Sequence, residues 1–471
     1  MTRYVAESRL PVSQEQAFAY HERPGCLQRL TPPWESVSVE KSDGTLQAGS
    51  RVVLKTSLFG VPLRWVARHT VYDPPSEFAD VQESGPFAHW EHRHRFVPID
   101  HSSCRLIDDV TYTVPAGSVG NALGGGVARG KIESMFAYRH RVTRDDLELA
   151  ANTPLSPQRI AISGASGMVG DTLSSMLTLL GHDCRDIVRD KANDESEIGA
   201  WSDDDAVQKF EQVDAVVHLA GKPIASERWT DEVKQEIRHS RVDKTRELCE
   251  TLAKCTNKPK VLICASASGI YGDRGDEILT EDSETGDDFL ADVASQWESA
   301  CRPAVEAGIR VVNARFGLIL SPAGGALEKM LTPAKFCGGK LGSGNQFFSW
   351  IALDDVLGGI YHCIANESVS GPVNFVSPEP IRNRDFATIL GRVLGRPSLF
   401  PAPAAALRLG LGEMADALLL SSTAIIPKRL SDSGYRFRFT DLADQLSYCL
   451  GKHRLPSSTS DPDSNQSVQA A

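Results

Sequence analysis

None of the ten cysteines forms a Cys-x-x-Cys pair, which argues against a zinc ribbon and against a disulfide framework. Long apolar runs are missing as well. The nearest candidate, Ala404 to Leu420, is broken by Arg408, Glu413 and Asp416, short of the roughly 18 residues a membrane span needs. The opening MTRYVAESRLPVSQEQ lacks the apolar segment of a secretory signal, so a reducing cytoplasm is the expected location. Positive charge is in deficit: 50 Lys and Arg against 61 Asp and Glu give a net charge of −11. That balance argues against a broad nucleic-acid footprint and against docking on anionic lipid. What is present is an ordinary soluble composition, 41% hydrophobic and 24% charged over 471 residues, enough chain for two or three domains.

Charge and composition divide the chain. Residues 1–150 hold 17 basic and 18 acidic side chains, and the remainder 33 and 43. Between them, Leu149 to Arg159 carries two prolines, small residues and no periodicity, the composition of a linker. Beyond Lys452 the chain is rich in Ser, Asp and Pro and is expected to be disordered. The expected units are therefore residues 1–148, a linker over 149–158, a domain over 159–452 and a tail over 453–471.

The first unit reads as mostly strand. Ser13 and Gln16 form a capping-box pattern opening a short helix through Phe18. Alternating segments follow near 35–41, 50–57, 63–72, 77–83, 90–97 and 104–113. A glycine-rich loop (Gly120, Gly124, Gly125, Gly126) then precedes a helix expected over Val127 to Asp146. A sheet wrapped around a long final helix tends to enclose a pocket. The strings HERPGCLQRLTPPWE, QESGPFAHWEHRHRF and MFAYRHR resemble the helix-grip, START-like superfamily that includes polyketide cyclases. That resemblance implies an α+β ligand-binding domain.

In Trp90-EHRHR-Phe96, alternation puts Trp90, His92, His94 and Phe96 on one face and Glu91, Arg93 and Arg95 on the other. The charged face belongs in water, so the histidines face inward. They either contact a polar group on a mostly apolar ligand, or are hydrogen-bonded core histidines. No third metal ligand is placed by the sequence, and no metal is expected.

From Arg159 the pattern changes to alternating strand and helix. The strand Arg159-IAIS runs into Gly164, Ala165, Ser166, Gly167, Met168, Val169 and Gly170, and a helix follows to Leu180. Glycines at this spacing, directly between strand and helix, let a pyrophosphate approach bare backbone at the positive helix end. Asp214-AVVHLAG ends in Leu219, Ala220 and Gly221, the expected floor of a nicotinamide-ribose site. Val261-LICASASGIYG ends where substrate should bind. At the end of the second strand stands Arg189, followed by Asp190. A guanidinium matches a 2′-phosphate in bidentate geometry, so NADP is expected as cofactor, with NAD the alternative.

The order of these segments resembles the extended short-chain dehydrogenase/reductase superfamily, of epimerase/dehydratase type. Arg315-FGLILSPAGGAL, Gly338-GKLGSGNQFFSWIALDD, Gly371-PVNFVSPEPI, Phe386-ATILGRVLGRP and Leu409-GLGEMADALL sharpen the match to its epimerase-like branch. The resemblance implies a Rossmann-type doubly wound α/β domain closed by a carboxy-terminal substrate lobe. Superfamily members often pair through helices of the dinucleotide domain, so a homodimer is one expectation.

Such enzymes normally carry a Ser/Thr–Tyr–Lys set, with the Lys lowering the tyrosine pKa. Here the Ser/Thr position is Ala267, flanked by Ser266 and Ser268, and the Tyr-x-x-x-Lys position falls in Phe289-LADVASQWE. Between Val261 and Glu328 there is no lysine, and the sole tyrosine is Tyr271. Tyr448 and Lys452 repeat the spacing beside the tail, by chance. Tyr271 is thus the candidate acid, with Ser266 or Ser268 as partner. Glu281, Asp282 and Glu298 are further carboxylates, Glu298 at the spacing of a structural partner. Arg315 is expected near cofactor or substrate, or in a buried ion pair; Asp354 and Asp355 as helix caps or substrate contacts.

Two functions compete. One is an NADP-dependent oxidoreductase or epimerase-like enzyme acting on a small hydroxy or carbonyl substrate, with an apolar ligand in the amino-terminal domain. The other is a non-catalytic NADP-binding regulator, for which some relatives' cell-division association is suggestive by resemblance alone. A weaker third puts a cyclase-like activity in the helix-grip pocket, with His92 or His94 as base.

Overall fold

The computed structural model describes residues 1–58, 61–189, 192, 196–201 and 205–453. Asp190 and the tail beyond residue 453 lie outside them.

Seven antiparallel strands build the first sheet: β1 (Thr2–Leu10), β2 (Ser38–Ser42), β3 (Arg51–Leu58), β4 (Val61–Asp73), β5 (Glu77–Ser84), β6 (His89–Asp100) and β7 (Ser103–Thr113), in the order β1-β7-β6-β5-β4-β3-β2. The Gln14–Glu22 helix is opened by the expected capping box: Gln16 N–H donates to Ser13 Oγ, and Ser13 N–H to Gln16 Oε1. The last helix differs from expectation. It spans Gly117–Asn152, so the glycine-rich stretch is helical and the presumed linker shrinks to the residues after 152. Glycine lowers helix propensity by only about 1 kcal/mol each, and Ile132, Phe136, Tyr138 and Val142 anchor the helix by burial.

The second sheet is wholly parallel. Its strands are β8 (Arg159–Ser163), β9 (Asp183–Ile187), β10 (Glu197–Ile198), β11 (Ala215–His218), β12 (Val261–Ala267), β13 (Arg310–Phe316) and β14 (Gly371–Phe375). They pair in the order β10-β9-β8-β11-β12-β13-β14. Such strands are apolar throughout because helices cover both faces; Ile160, Ile162, Val217, Ile263 and Val312 are all buried. The order reverses between β8 and β11, which opens a crevice at their carboxyl ends.

The amino-terminal part and the carboxy-terminal lobe share a core. Phe18, Phe96, Tyr138 and Val142 of the first part pack in one cluster with Leu320, Trp350, Phe386, Phe439 and Tyr448 of the second. Tyr138 stacks on Tyr448 at 5.3 Å between centroids. Among the described residues, no helix is long and apolar enough to cross a membrane.

Candidate functional site

The turn after β8 is shaped for a phosphate group. Gly164 has φ of +73°, where side-chain-bearing residues are strained. A Cβ on Gly170 would lie 2.3 Å from the Gly164 carbonyl oxygen, so nothing larger than glycine lets the helix close onto the turn. Gly167 caps the Met168–Leu179 helix with no side chain over its first amides, leaving them for an anion. Ala165 is half-buried and Ser166 exposed on the same turn. Leu219, Ala220 and Gly221 follow β11 directly, and the Leu219 N–H donates to Ser163 Oγ. Arg189 is exposed, two residues past β9.

From this turn a cavity of about 1150 Å³ runs along the carboxyl edge of the sheet into the carboxy-terminal lobe. Gly164, Gly167 and Leu219 line one end, Ser266 and Ser268 the middle, and Phe348, Phe386 and Met414 the far wall. On the helix where the Tyr-x-x-x-Lys pair would stand, the wall is Leu290, Val293 and Ala294. Among the described residues, the carboxylate lining the cavity on that side is Asp288, the helix N-cap, whose Oδ1 accepts from the Ala291 N–H.

Tyr271 and Arg315 do not line the cavity. Tyr271 is fully buried; its hydroxyl donates to Asn374 Oδ1 at 2.7 Å and accepts from Arg315 Nη1 at 2.8 Å. Burial pushes its pKa up, against the charge and hydrogen bond of Arg315, so the phenol keeps its proton. The expectation that Tyr271 works beside the nicotinamide therefore meets a hydroxyl already committed on both sides. Arg315 resolves into the buried ion pair: its Nε and Nη2 meet Glu298 Oε1 and Oε2 at 2.7 and 2.9 Å. Ser266 donates to the same Glu298 oxygen at 2.7 Å. Glu281 accepts from the backbone of Asn374 and Arg429.

Asp354 and Asp355 also turn away from the cavity. Asp355 accepts from the Arg438 and Phe439 amides and from the Tyr435 hydroxyl, and burial raises its pKa to about 7. Asp354 accepts from Arg29 of the amino-terminal part at 2.8 Å. Neither caps its helix, whose N-cap is Ala352. Tyr448 is buried in the shared core.

Several polar cavity residues, Arg241 and Lys329 among them, carry no clear sequence signal. Arg241, on the Asp231–Lys254 helix, lies over the Trp297 ring at 5.1 Å and beside Gly221. Burial lowers its pKa to about 10, and among the described residues it meets no carboxylate. Its sequence signal was faint: one Arg in a helix rich in charge.

In the amino-terminal part, Trp90, His92 and Phe96 are buried and His94 nearly so, all four inward. Trp90 packs on Trp65 and Phe87, and Phe96 on Phe18. Both histidines approach Asp108 Oδ1, His92 through Nε2 at 2.9 Å and His94 through Nδ1 at 2.6 Å.

Comparison with known proteins agrees with these two halves. The NAD dependent epimerase/dehydratase family matches residues 160–375, and the polyketide cyclase/dehydrase and lipid transport family residues 10–137. A domain of unknown function matches 402–448. An epimerase family protein of Mycobacterium bovis, Mb2239, is 39% identical over 293 residues, 61% of this chain and 96% of the relative. The chain belongs to the epimerase family. YfhF of Bacillus subtilis, another member, is 37% identical over 63% of this chain and 99% of its own length. Among solved structures, a nucleoside-diphosphate sugar epimerase from Corynebacterium glutamicum has a TM-score of 0.79 at 33% identity, covering 96% of this chain and 91% of its own. The human epimerase family protein SDR39U1, solved with NADPH, gives 0.58 at 31% identity over 62% and 99%.

Proposed function

We propose that this epimerase-family chain is an NADP-dependent oxidoreductase acting on a small hydroxy or carbonyl substrate, one that is largely apolar. The observation that carries the reading is the single cavity joining the glycine turn to Ser266, Ser268 and the apolar lobe. The turn fits a dinucleotide, since a Cβ at Gly170 would close the space the backbone needs. Gly164 to Gly170 and Leu219 to Gly221 would hold it, and Arg189 would meet a 2′-phosphate; the NADPH in the human relative's structure supports that choice. Bound, such a cofactor supplies or accepts a hydride.

The chain's own part is binding, orientation and proton handling. Arg241, without a carboxylate partner, holds an anionic or carbonyl oxygen at the cavity floor. Ser268 relays a proton between the substrate oxygen and water. Ser266, Glu298, Arg315 and Tyr271 form the brace beneath it and are positioning residues. In this reading the working units are residues 1–148 and 159–452.

A regulator that binds NADP without chemistry is the second reading, favoured by the apolar wall at Leu290, Val293 and Ala294. Titration of the full chain with NADPH and NADH, then addition of aldehydes, ketones and nucleotide sugars, separates the two. NADPH oxidation by any of them supports the enzyme; tight binding with no oxidation throughout supports the regulator.

A further inference from the structure

We propose that the amino-terminal sheet holds a divalent transition-metal site, with zinc as its first occupant, built from Asp80, His92 and His94. The strand register creates it. Asp80 on β5 is the direct cross-strand partner of His92 on β6, and His94, two residues on, shares that face. One ligand atom from each of the three lies within 4.8 Å of the others.

Asp108 orients the His92 ring. His92 Nε2–H donates to Asp108 Oδ1 at 2.9 Å, which leaves the lone pair on Nδ1. That Nδ1 faces Asp80 Oδ2 at 3.6 Å, close to the spacing of about 3.3 Å between ligands bound tetrahedrally at roughly 2.0–2.1 Å. His94 Nδ1 lies 2.6 Å from the same Asp108 oxygen without hydrogen-bond alignment, and Nε2 is its second candidate ligand atom. His140 stands by the other oxygen: its Nε2 lies 2.7 Å from Asp108 Oδ2 without hydrogen-bond alignment, and its Nδ1 lies 2.7 Å from Ser8 Oγ. A carboxylate behind a ligating imidazole fixes its tautomer and orientation.

A further imidazole borders the group, outside the three whose ligand atoms lie within 4.8 Å of one another. His69 on β4 is the cross-strand partner of Asp80 on its other side. It is buried, and its Nδ1 has no hydrogen-bond partner. Asp80 and His94 keep 15% and 13% of their side chains exposed, which gives an ion a way in. Phe78 stacks on His94 at 4.1 Å and closes one flank. Two imidazoles with one carboxylate suit zinc, and with open positions also ferrous iron.

The test is metal binding by the full-length chain stripped with chelator. Zinc should bind at one equivalent and raise the melting temperature, and cobalt(II) should give visible bands of a low-symmetry nitrogen/oxygen site. The variants His94→Gln and Asp80→Asn should each weaken zinc binding at least tenfold while circular dichroism and NADPH binding stay unchanged. Zinc or iron content of the chain as purified identifies the resident ion. Absence of saturable zinc, cobalt or ferrous binding by the folded chain overturns the proposal. So does binding of equal affinity in folded Asp80→Asn and His94→Gln proteins, which would place the ion elsewhere. Should His94→Gln fail to fold, Asp80→Asn decides alone, because asparagine is isosteric with that aspartate and keeps its packing.

Discussion

Arg29 and Asp354, 325 residues apart, meet at 2.8 Å across the contact between the two halves of the chain. The same guanidinium grips Asp146 through Nε and Nη2, both at 2.8 Å, and Tyr20 and Arg438 complete the group around Asp146. Burial would pull the Arg29 pKa down, but Asp146 and Asp354 hold it well above the ordinary value.

Arg29→Met should therefore destabilise the chain by about 3–5 kcal/mol, because Asp146 would stay buried without its principal cation. Urea unfolding measures the loss, and proteolysis after residue 152 should accelerate. Arg29→Lys should recover little, since one ammonium cannot span both carboxylates in the same geometry.

Gly170→Ala places a methyl against the Gly164 carbonyl oxygen. NADPH affinity should fall more than tenfold in a fluorescence titration. Arg189→Ala should weaken NADPH by about 1–3 kcal/mol, the range for a charged hydrogen bond, and leave NADH unchanged. Equal losses for both cofactors would refute the 2′-phosphate contact.

Tyr271→Phe should cost about 1–3 kcal/mol of stability, because Arg315 and Asn374 lose a buried partner. Turnover of any substrate found should survive it. Loss of turnover in a folded Tyr271→Phe protein would restore the tyrosine as the acid.

Acid should destabilise the fold through His218 and His182, whose pKa values burial lowers to about 4. A histidine with a depressed folded-state pKa contributes stability that is full above its unfolded value, near 6.5, and is lost as pH falls toward 4. For the fully enclosed His218, held by Ser163 and Thr245, the loss should reach about 3 kcal/mol. Urea midpoints of His218→Gln across that range should show a shallower decline.

The periodicity of the sequence carried both sheets. Strand β6 reached one residue before the expected start, and alternation assigned the faces of Trp90 through Phe96 correctly because burial on one side enforces a period of two. The glycine turn was legible because its neighbours in sequence are its neighbours in space. What sequence could not give was pairing at long range. Tyr271 lies near the expected catalytic position along the chain, yet Arg315 and Asn374, brought by later strands, decide where its hydroxyl goes. Asp80 and Asp108 stand on separate strands from His92, so the carboxylates around the histidines had no local signature. The long helix was shortened in the reading because glycine signals a loop locally, while tertiary burial of its later turns decides the outcome.

The Arg29–Asp354 contact also bears on descent. The Mycobacterium bovis relative is matched over nearly its whole length by 61% of this chain, so a shorter member of the family must do without much of what this chain carries. In any member lacking the first sheet, no arginine arrives to neutralise the acid at the position of Asp354. Acid and amino-terminal domain should then be gained and lost together, and their co-occurrence across genomes would record the fusion that joined the two halves.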